Sequence, residues 1–116
     1  MEKITIWHNP RCSKSRDSFN LLEEKGVKAE VINYLDTVPT KDELKDVLSK
    51  LNISAQELMR SKEAIYKELN LAEVSDENIL IEAMIANPKL IERPIVIKGD
   101  KAVIGRPIEK VIELLA

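Results

Sequence analysis

The chain has 116 residues, which predicts a single domain, spanning residues 1–116, with one hydrophobic core. Its 18 basic and 20 acidic residues nearly balance, at a formal net charge of −2. This balance argues against a nucleic-acid or membrane partner, since both favour a basic excess. No apolar stretch reaches membrane-spanning length and no signal-peptide pattern is present, so we expect a cytoplasmic protein. Nothing in the sequence demands more than a monomer.

The first third of the chain predicts a strand–helix–strand unit. Residues 3–7 have the composition of a strand, and residues 13–25 form an amphipathic helix that stops at Gly26. Residues 27–34 alternate in polarity, which predicts a second strand. A right-handed crossover between the two strands would make them parallel.

The middle of the chain predicts several short helices. The candidate helix starts are Thr40 with Glu43, Ser54 with Glu57, Ser61, and Ser75 or Asp76. The last of these helices is expected to end at Asn87-Pro88 and to have an inner face of Ile79, Leu80, Ala83 and Met84.

The last third returns to strands. Residues 95–98 and 101–104 are separated by Gly99-Asp100, which predicts a hairpin. A final helix is expected with Pro107 in its first turn and an inner face of Ile108, Val111, Ile112 and Leu115. The order therefore predicts an α/β protein with a four-stranded mixed sheet, β-α-β then β-β-α, and a helical insertion of about residues 40–90.

Residues 8–16, His-Asn-Pro-Arg-Cys-Ser-Lys-Ser-Arg, contain the only cysteine and the only histidine. Cys12 lies where a strand ends and a helix begins, and free N–H groups and basic neighbours favour a thiolate there. It has no apolar neighbour, which favours a reactive thiol over a buried one. His8 is either a base or electrostatic partner for the thiolate, or a polar strand end. With one cysteine, the fold cannot contain an internal disulfide.

Two Arg-Pro pairs, Arg93-Pro94 and Arg106-Pro107, bracket the predicted hairpin. The two ends of a hairpin are neighbours, so both guanidinium groups can reach one place. Alternatively, these arginines and Arg60 are solvated or form surface ion pairs. We find no Cys-x-x-Cys, no metal-ligand cluster and no glycine-rich phosphate loop, and we predict no metal. Ser18 occupies the position where a phosphatase-type loop would need an arginine.

Taken together, these motifs resemble the glutaredoxin-coupled arsenate reductase family. The resemblance runs along essentially the whole chain, through His8 to Arg16, Asn33-Tyr34-Leu35, Pro39-Thr40, Leu58-Met59-Arg60, Arg93-Pro94 and Gly105-Arg106-Pro107. It implies a thioredoxin-like fold with a helical insertion, in which Pro94 is the cis proline.

The resemblance also implies a reaction. Cys12 would attack arsenate, glutathione would add as co-substrate, and glutaredoxin would remove it as a mixed disulfide, releasing arsenite; no bound cofactor is implied. Arg60, Arg93 and Arg106 match the oxyanion-binding arginines, a role that suits guanidinium forks. His8 and Ser15 match residues that tune the thiolate, with the Ser15 hydroxyl placed to point back at the sulfur.

Two other functions fit the same features. One is a glutathione-dependent thiol oxidoreductase that uses Cys12 without needing the arginines. The other is a non-enzymatic regulator of the Spx type, which binds RNA polymerase. Spx redox switches carry a Cys-x-x-Cys, whereas here Ser15 replaces the second thiol, so we rank this function last.

Overall fold

The computed structural model describes residues 3–115, which divide into two compact units. The first unit comprises residues 3–37 and 93–115, and the second comprises residues 38–92. The second unit coincides with the predicted helical insertion. That the whole chain is a single domain stays a prediction.

The first unit contains a four-stranded mixed sheet. Its strands are β1 (Ile4–Trp7), β2 (Ala29–Ile32), β3 (Ile95–Lys98) and β4 (Lys101–Ile104), in the order β2-β1-β3-β4. Strand β1 pairs in parallel with β2 and antiparallel with β3, and β3 pairs antiparallel with β4. This topology confirms the predicted fold class.

Strand β2 is shorter than the predicted span of residues 27–34. The chain turns at Asn33, whose carbonyl accepts the N–H groups of Asp36 and Thr37 and whose side chain accepts the N–H of Leu35. The predicted alternation also fails, because Val31 is 45% exposed on this edge strand. An asparagine side chain competes with the strand ladder for backbone N–H groups, which explains the early end.

Two helices, α1 (Ser13–Glu24) and α6 (Glu109–Leu115), cover one face of this sheet. Ile6 and Val96 are opposite each other in the register and are fully buried, together with Leu22 of α1 and Val111 of α6. Each side chain of this kind contributes roughly 1.5–3 kcal/mol when buried. The core therefore holds both helices against the strands that carry the site described below.

The end of α1 and the start of α6 differ in how well the sequence predicted them. Gly26, at a φ of +69°, ends α1 as expected, and Val27 N–H donates to Leu22 O. Pro107 precedes α6 instead of lying in its first turn. Ile112 was wrongly placed on the inner face; it is 42% exposed, because it lies about 100° around the helix from the buried Val111.

The second unit is helical. It consists of α2 (Lys41–Leu51), α3 (Ala55–Leu58), α4 (Ala64–Glu68) and α5 (Glu77–Ala86), with 3₁₀ turns at Leu71–Glu73 and Pro88–Leu90. Both predicted capping boxes are present, with Thr40 and Ser54 as N-caps, and Asp76 caps α5.

Two predictions for the second unit were wrong. Ser61 does not cap α4, which begins after Glu63 and has no side-chain cap. The N-cap position of α4 is occupied by Glu63, two residues after Ser61. Ile79 is 49% exposed, because α5 buries Leu80, Ile81 and Met84 and so presents a face rotated from the predicted one.

Candidate active site

Cys12 is the N-cap residue of α1, at the end of the loop that follows β1. Its N–H donates to Asn9 O at 3.0 Å, and its carbonyl accepts the N–H of Arg16 at 3.0 Å. The side chain is partly exposed, and the first turn of α1 contains no acidic residue. The thiol therefore lies at the positive end of a 12-residue helix dipole, an environment that favours an anion.

Arg106 contacts the sulfur directly. Its Nη2 lies 3.2 Å from Cys12 Sγ, while its Nε donates to Arg93 O at 2.7 Å. Because the carbonyl of Arg93 is uncharged, it orients the guanidinium without neutralising it. The positive charge thus faces the sulfur and can hold an anion beside it.

The hairpin formed by β3 and β4 brings the backbone of Arg93 next to Arg106; that both guanidinium groups reach one place stays a prediction. Gly105 N–H donates to Pro94 O at 2.9 Å, which joins the two ends of the hairpin. The peptide bonds before Pro94 and Pro107 are both cis. The cis Pro94 agrees with the expectation from the resemblance.

The sequence did not predict a close contact at Gly105, the residue before Arg106. A Cβ added to Gly105 would lie 2.6 Å from Ser18 Oγ and 2.8 Å from Pro94 Cγ, so a larger residue would force these atoms to move. Ser18 is fully buried, and its hydroxyl has no hydrogen-bond partner among residues 3–115. The glycine of the Gly-Arg-Pro run was the available signal, but its packing partner lies 87 positions earlier in the chain.

His8 and Ser15 fasten the loop before Cys12 to the first turn of α1. His8 Nδ1 lies 2.7 Å from Ser15 Oγ, which also accepts the N–H of Asn9 at 2.9 Å. Both residues are buried, and His8 stacks on Phe19 with the ring centroids 5.3 Å apart. The Ser15 hydroxyl therefore contacts His8 and Asn9, whereas the sequence predicted that it points at the sulfur.

The pKa of His8 is lowered from its usual 6.5, first by burial and then by the positive charge of Arg16. The imidazole is therefore neutral at pH 7. Arg16 itself donates to Pro10 O at 3.1 Å across the loop. A neutral imidazole adds no positive charge to the site, where Arg106 is a cation that contacts the Cys12 sulfur.

Arg60 belongs to the second unit and has a different environment. Its Nη1 lies 3.1 Å from Glu63 Oε1, and its Nε lies 3.7 Å from Glu92 Oε1. Its backbone N–H donates to Leu90 O at 2.8 Å, beside the bridge between Met59 and Ile91. The predicted role of Arg60 as an oxyanion ligand stays a prediction, as does that of the Arg93 side chain.

Residues 3–115 show neither a metal-binding cluster nor a membrane-spanning helix. In that range, no three histidine, cysteine, aspartate or glutamate side chains cluster as metal ligands would. None of the helices in that range has the length and apolar character needed to cross a bilayer.

A single cysteine at the start of the first helix, on a four-stranded mixed sheet, is the arrangement of a thioredoxin-like thiol protein. Comparison with known proteins narrows the class: residues 7–114 match the ArsC family, and the chain belongs to that family.

Individual relatives support the assignment. The chain is 55% identical to YfgD of Escherichia coli strain K12, over 98% of each chain. It is 50% identical to the arsenate reductase of Neisseria meningitidis serogroup A, covering 99% of this chain and all of the relative. The arsenate reductase structure from Vibrio cholerae superposes with a TM-score of 0.93 at 46% identity, over 97% of each chain.

Proposed function

We propose that this protein is an arsenate reductase that uses Cys12 as its nucleophile. The observation that carries the proposal is the Arg106 guanidinium, 3.2 Å from Cys12 Sγ and anchored by a neutral carbonyl. An oriented guanidinium beside a thiolate activates the sulfur and attracts a tetrahedral oxyanion to it. Relatives named arsenate reductase supply the identity of the oxyanion.

The reaction begins with two substitutions at As(V). The Cys12 thiolate attacks arsenic, an S–As bond forms, and an oxygen leaves as water after it has been protonated. The thiolate of glutathione, the co-substrate, replaces a second oxygen in the same way. Arg106 and the predicted ligands Arg60 and Arg93 would stabilise the negative charge on the remaining oxygens.

Reduction follows when the thiolate of glutaredoxin attacks the glutathione sulfur. An S–S bond forms between the two, the bond from arsenic to that sulfur breaks, and its electron pair stays on arsenic, which becomes As(III). Water then displaces Cys12 from As(III), which releases arsenite and restores the thiol. Since Cys12 is the only cysteine in the chain, an external thiol must supply these electrons.

A reducing compartment suits this chemistry, because Cys12 must return to the free thiol in each cycle. We therefore propose that the enzyme works in the cytoplasm, as a monomer, and without a bound cofactor.

The test is arsenate-dependent NADPH oxidation, coupled through glutathione, glutaredoxin and glutathione reductase. Turnover is expected with the wild-type chain and is expected to vanish in Cys12→Ser and when glutathione is omitted. Ser13→Ala, one position away, is the matched control and should retain activity. Equal turnover in Cys12→Ser and wild type would refute the proposal. Reduction of a model mixed disulfide without arsenate turnover would select the thiol oxidoreductase instead.

A further inference from the structure

A cleft of about 410 Å³ lies between α1 and the start of α6. Its walls include Lys14, Asp17 and residues 106–109. One wall is Arg106, whose Nη2 contacts Cys12 Sγ, so the cleft shares a residue with the surroundings of the thiol. The volume is in the range of small-molecule sites.

The cleft combines charges of both signs with an apolar surface. Lys14 and Arg106 are cationic, Asp17 and Glu109 are anionic, and residues 107–108 are a proline and an isoleucine. Within the described part of the chain, the side chains of Lys14, Asp17 and Glu109 form neither salt bridges nor hydrogen bonds. These three charges are therefore available to a ligand.

We propose that this cleft binds the reducing thiol co-substrate through its amino-acid end. A small peptide thiol such as glutathione has an ammonium and a carboxylate on one carbon of its glutamyl end, and a second carboxylate at its glycine end. Asp17 and Glu109 would take the ammonium, while Lys14 and Arg106 would take a carboxylate. This inference rests on the proposed function, because that function requires a small external thiol to reach Cys12.

A second cleft flanks the Cys12 loop on the side of Asn33. It measures about 310 Å³, and its only charged walls are Arg11 and Asp36. With one charge of each sign, it offers fewer partners to a molecule that carries three charged groups. This difference favours the cleft beside α6.

Thiol exchange with oxidised glutathione tests ligand binding in this cleft without arsenate. The Cys12 thiolate attacks one sulfur of the disulfide, so that a Cys12–glutathione disulfide forms, the original S–S bond breaks, and the second glutathione leaves as a thiolate. Cys12 is oxidised, and the departing glutathione is reduced. Mass spectrometry of quenched samples gives the rate of this step.

The experiment compares oxidised glutathione with the uncharged disulfide of 2-mercaptoethanol. Glu109→Gln, Asp17→Asn and Lys14→Gln should each slow glutathionylation by about 3- to 5-fold relative to the uncharged disulfide, a loss typical of one exposed charge pair. Glu113→Gln, one turn further along α6 and outside the cleft, should leave that ratio unchanged. An unchanged ratio in all three cleft variants would overturn the proposal.

An NMR titration with S-methylglutathione, which cannot react, locates the ligand directly. Amide shifts at residues 14–17 and 106–109 would support the cleft, whereas shifts confined to residues 9–11 and 33–36 would refute it. Neither experiment contains arsenate, so a cleft that fails these tests leaves the arsenate assay to be judged separately. A chain that passes them without reducing arsenate has the thiol site but not the proposed function.

Discussion

Arg106 and Arg60 are both predicted oxyanion ligands, yet their surroundings differ. The guanidinium of Arg106 is held by a neutral carbonyl and faces the sulfur of Cys12. The guanidinium of Arg60 lies between two carboxylates, those of Glu63 and Glu92. The two contacts of Arg106, with the sulfur and with the Arg93 carbonyl, involve no carboxylate, whereas Arg60 shares its charge with two carboxylates of its own unit.

This contrast shows that the hydrogen-bond acceptor that orients an arginine decides how strongly the arginine can bind an anion. A carbonyl acceptor orients the guanidinium fork and leaves its electrostatic attraction intact. A carboxylate acceptor orients it as well but competes with any incoming oxyanion. We therefore expect Arg106 to control both the reactivity of the thiol and arsenate binding, and Arg60 to affect arsenate binding alone.

The largest effect is expected from Arg106→Lys. Lysine cannot contact the Arg93 carbonyl and the sulfur with one rigid fork, so kcat/KM for arsenate should fall about 100-fold, the typical loss of one oriented donor. Alkylation of Cys12 by iodoacetamide at pH 7 should also slow. Arg11→Lys, beside Cys12 in the chain but with an exposed side chain, is the control. Equal kcat/KM values and equal alkylation rates in Arg106→Lys and Arg11→Lys would show that Arg106 controls neither arsenate turnover nor the reactivity of Cys12.

Gly105→Ala tests whether packing beneath Arg106 sets its position. The new methyl group would meet Ser18 Oγ and Pro94 Cγ below 3.0 Å, and overpacking of this kind costs about 1–3 kcal/mol. Urea denaturation should show this loss of stability, and alkylation of Cys12 should slow in the folded protein.

The control for Gly105→Ala is Gly26→Ala. Gly26 has a φ of +69° with no atom within 4 Å of the added Cβ, so the substitution strains the backbone without crowding. It should lower stability and leave Cys12 reactivity intact. A normal alkylation rate in Gly105→Ala would show that packing at Gly105 does not set the position of Arg106.

Glu63→Gln should strengthen the binding of arsenate by Arg60, whereas the preceding substitutions lower activity or stability. Removal of the carboxylate at 3.1 Å frees the charge of Arg60, so KM for arsenate should fall by about 2- to 5-fold if Arg60 binds the oxyanion. Alkylation of Cys12 should be unchanged. Glu68→Gln, at the end of the helix α4 that follows Glu63, is the control. An unaltered KM in Glu63→Gln would exclude Arg60 from the substrate site.

The smallest effect concerns pH. Because burial lowers the pKa of His8, the unfolded chain binds a proton at higher pH than the folded chain does. The stability that His8 contributes is complete above pH 6.5 and declines as the pH falls below that value. His8→Asn should flatten this decline, measured by urea denaturation at pH 7.5 and pH 5.5. Since His8 is the only histidine, an identical pH dependence in the variant would contradict the lowered pKa.

The sequence by itself determined those features that depend on residues a few positions apart. The capping boxes at Thr40 and Ser54, the turn at Gly99-Asp100 and the stop at Gly26 are local, and all are present. The position of Cys12 at the start of a helix was equally readable, because a strand pattern, a polar loop and an amphipathic pattern follow one another directly.

Only the tertiary structure decided what these elements contact. Arg106 and Cys12 are 94 positions apart, and no local pattern could show that a carbonyl anchors the arginine or that Ser15 binds His8 and not the sulfur. The exposure of Ile79 and Ile112 has the same origin: helical periodicity defines an apolar stripe, but packing decides which edge of the stripe is buried. The site therefore depends on long-range contacts that only the folded chain makes.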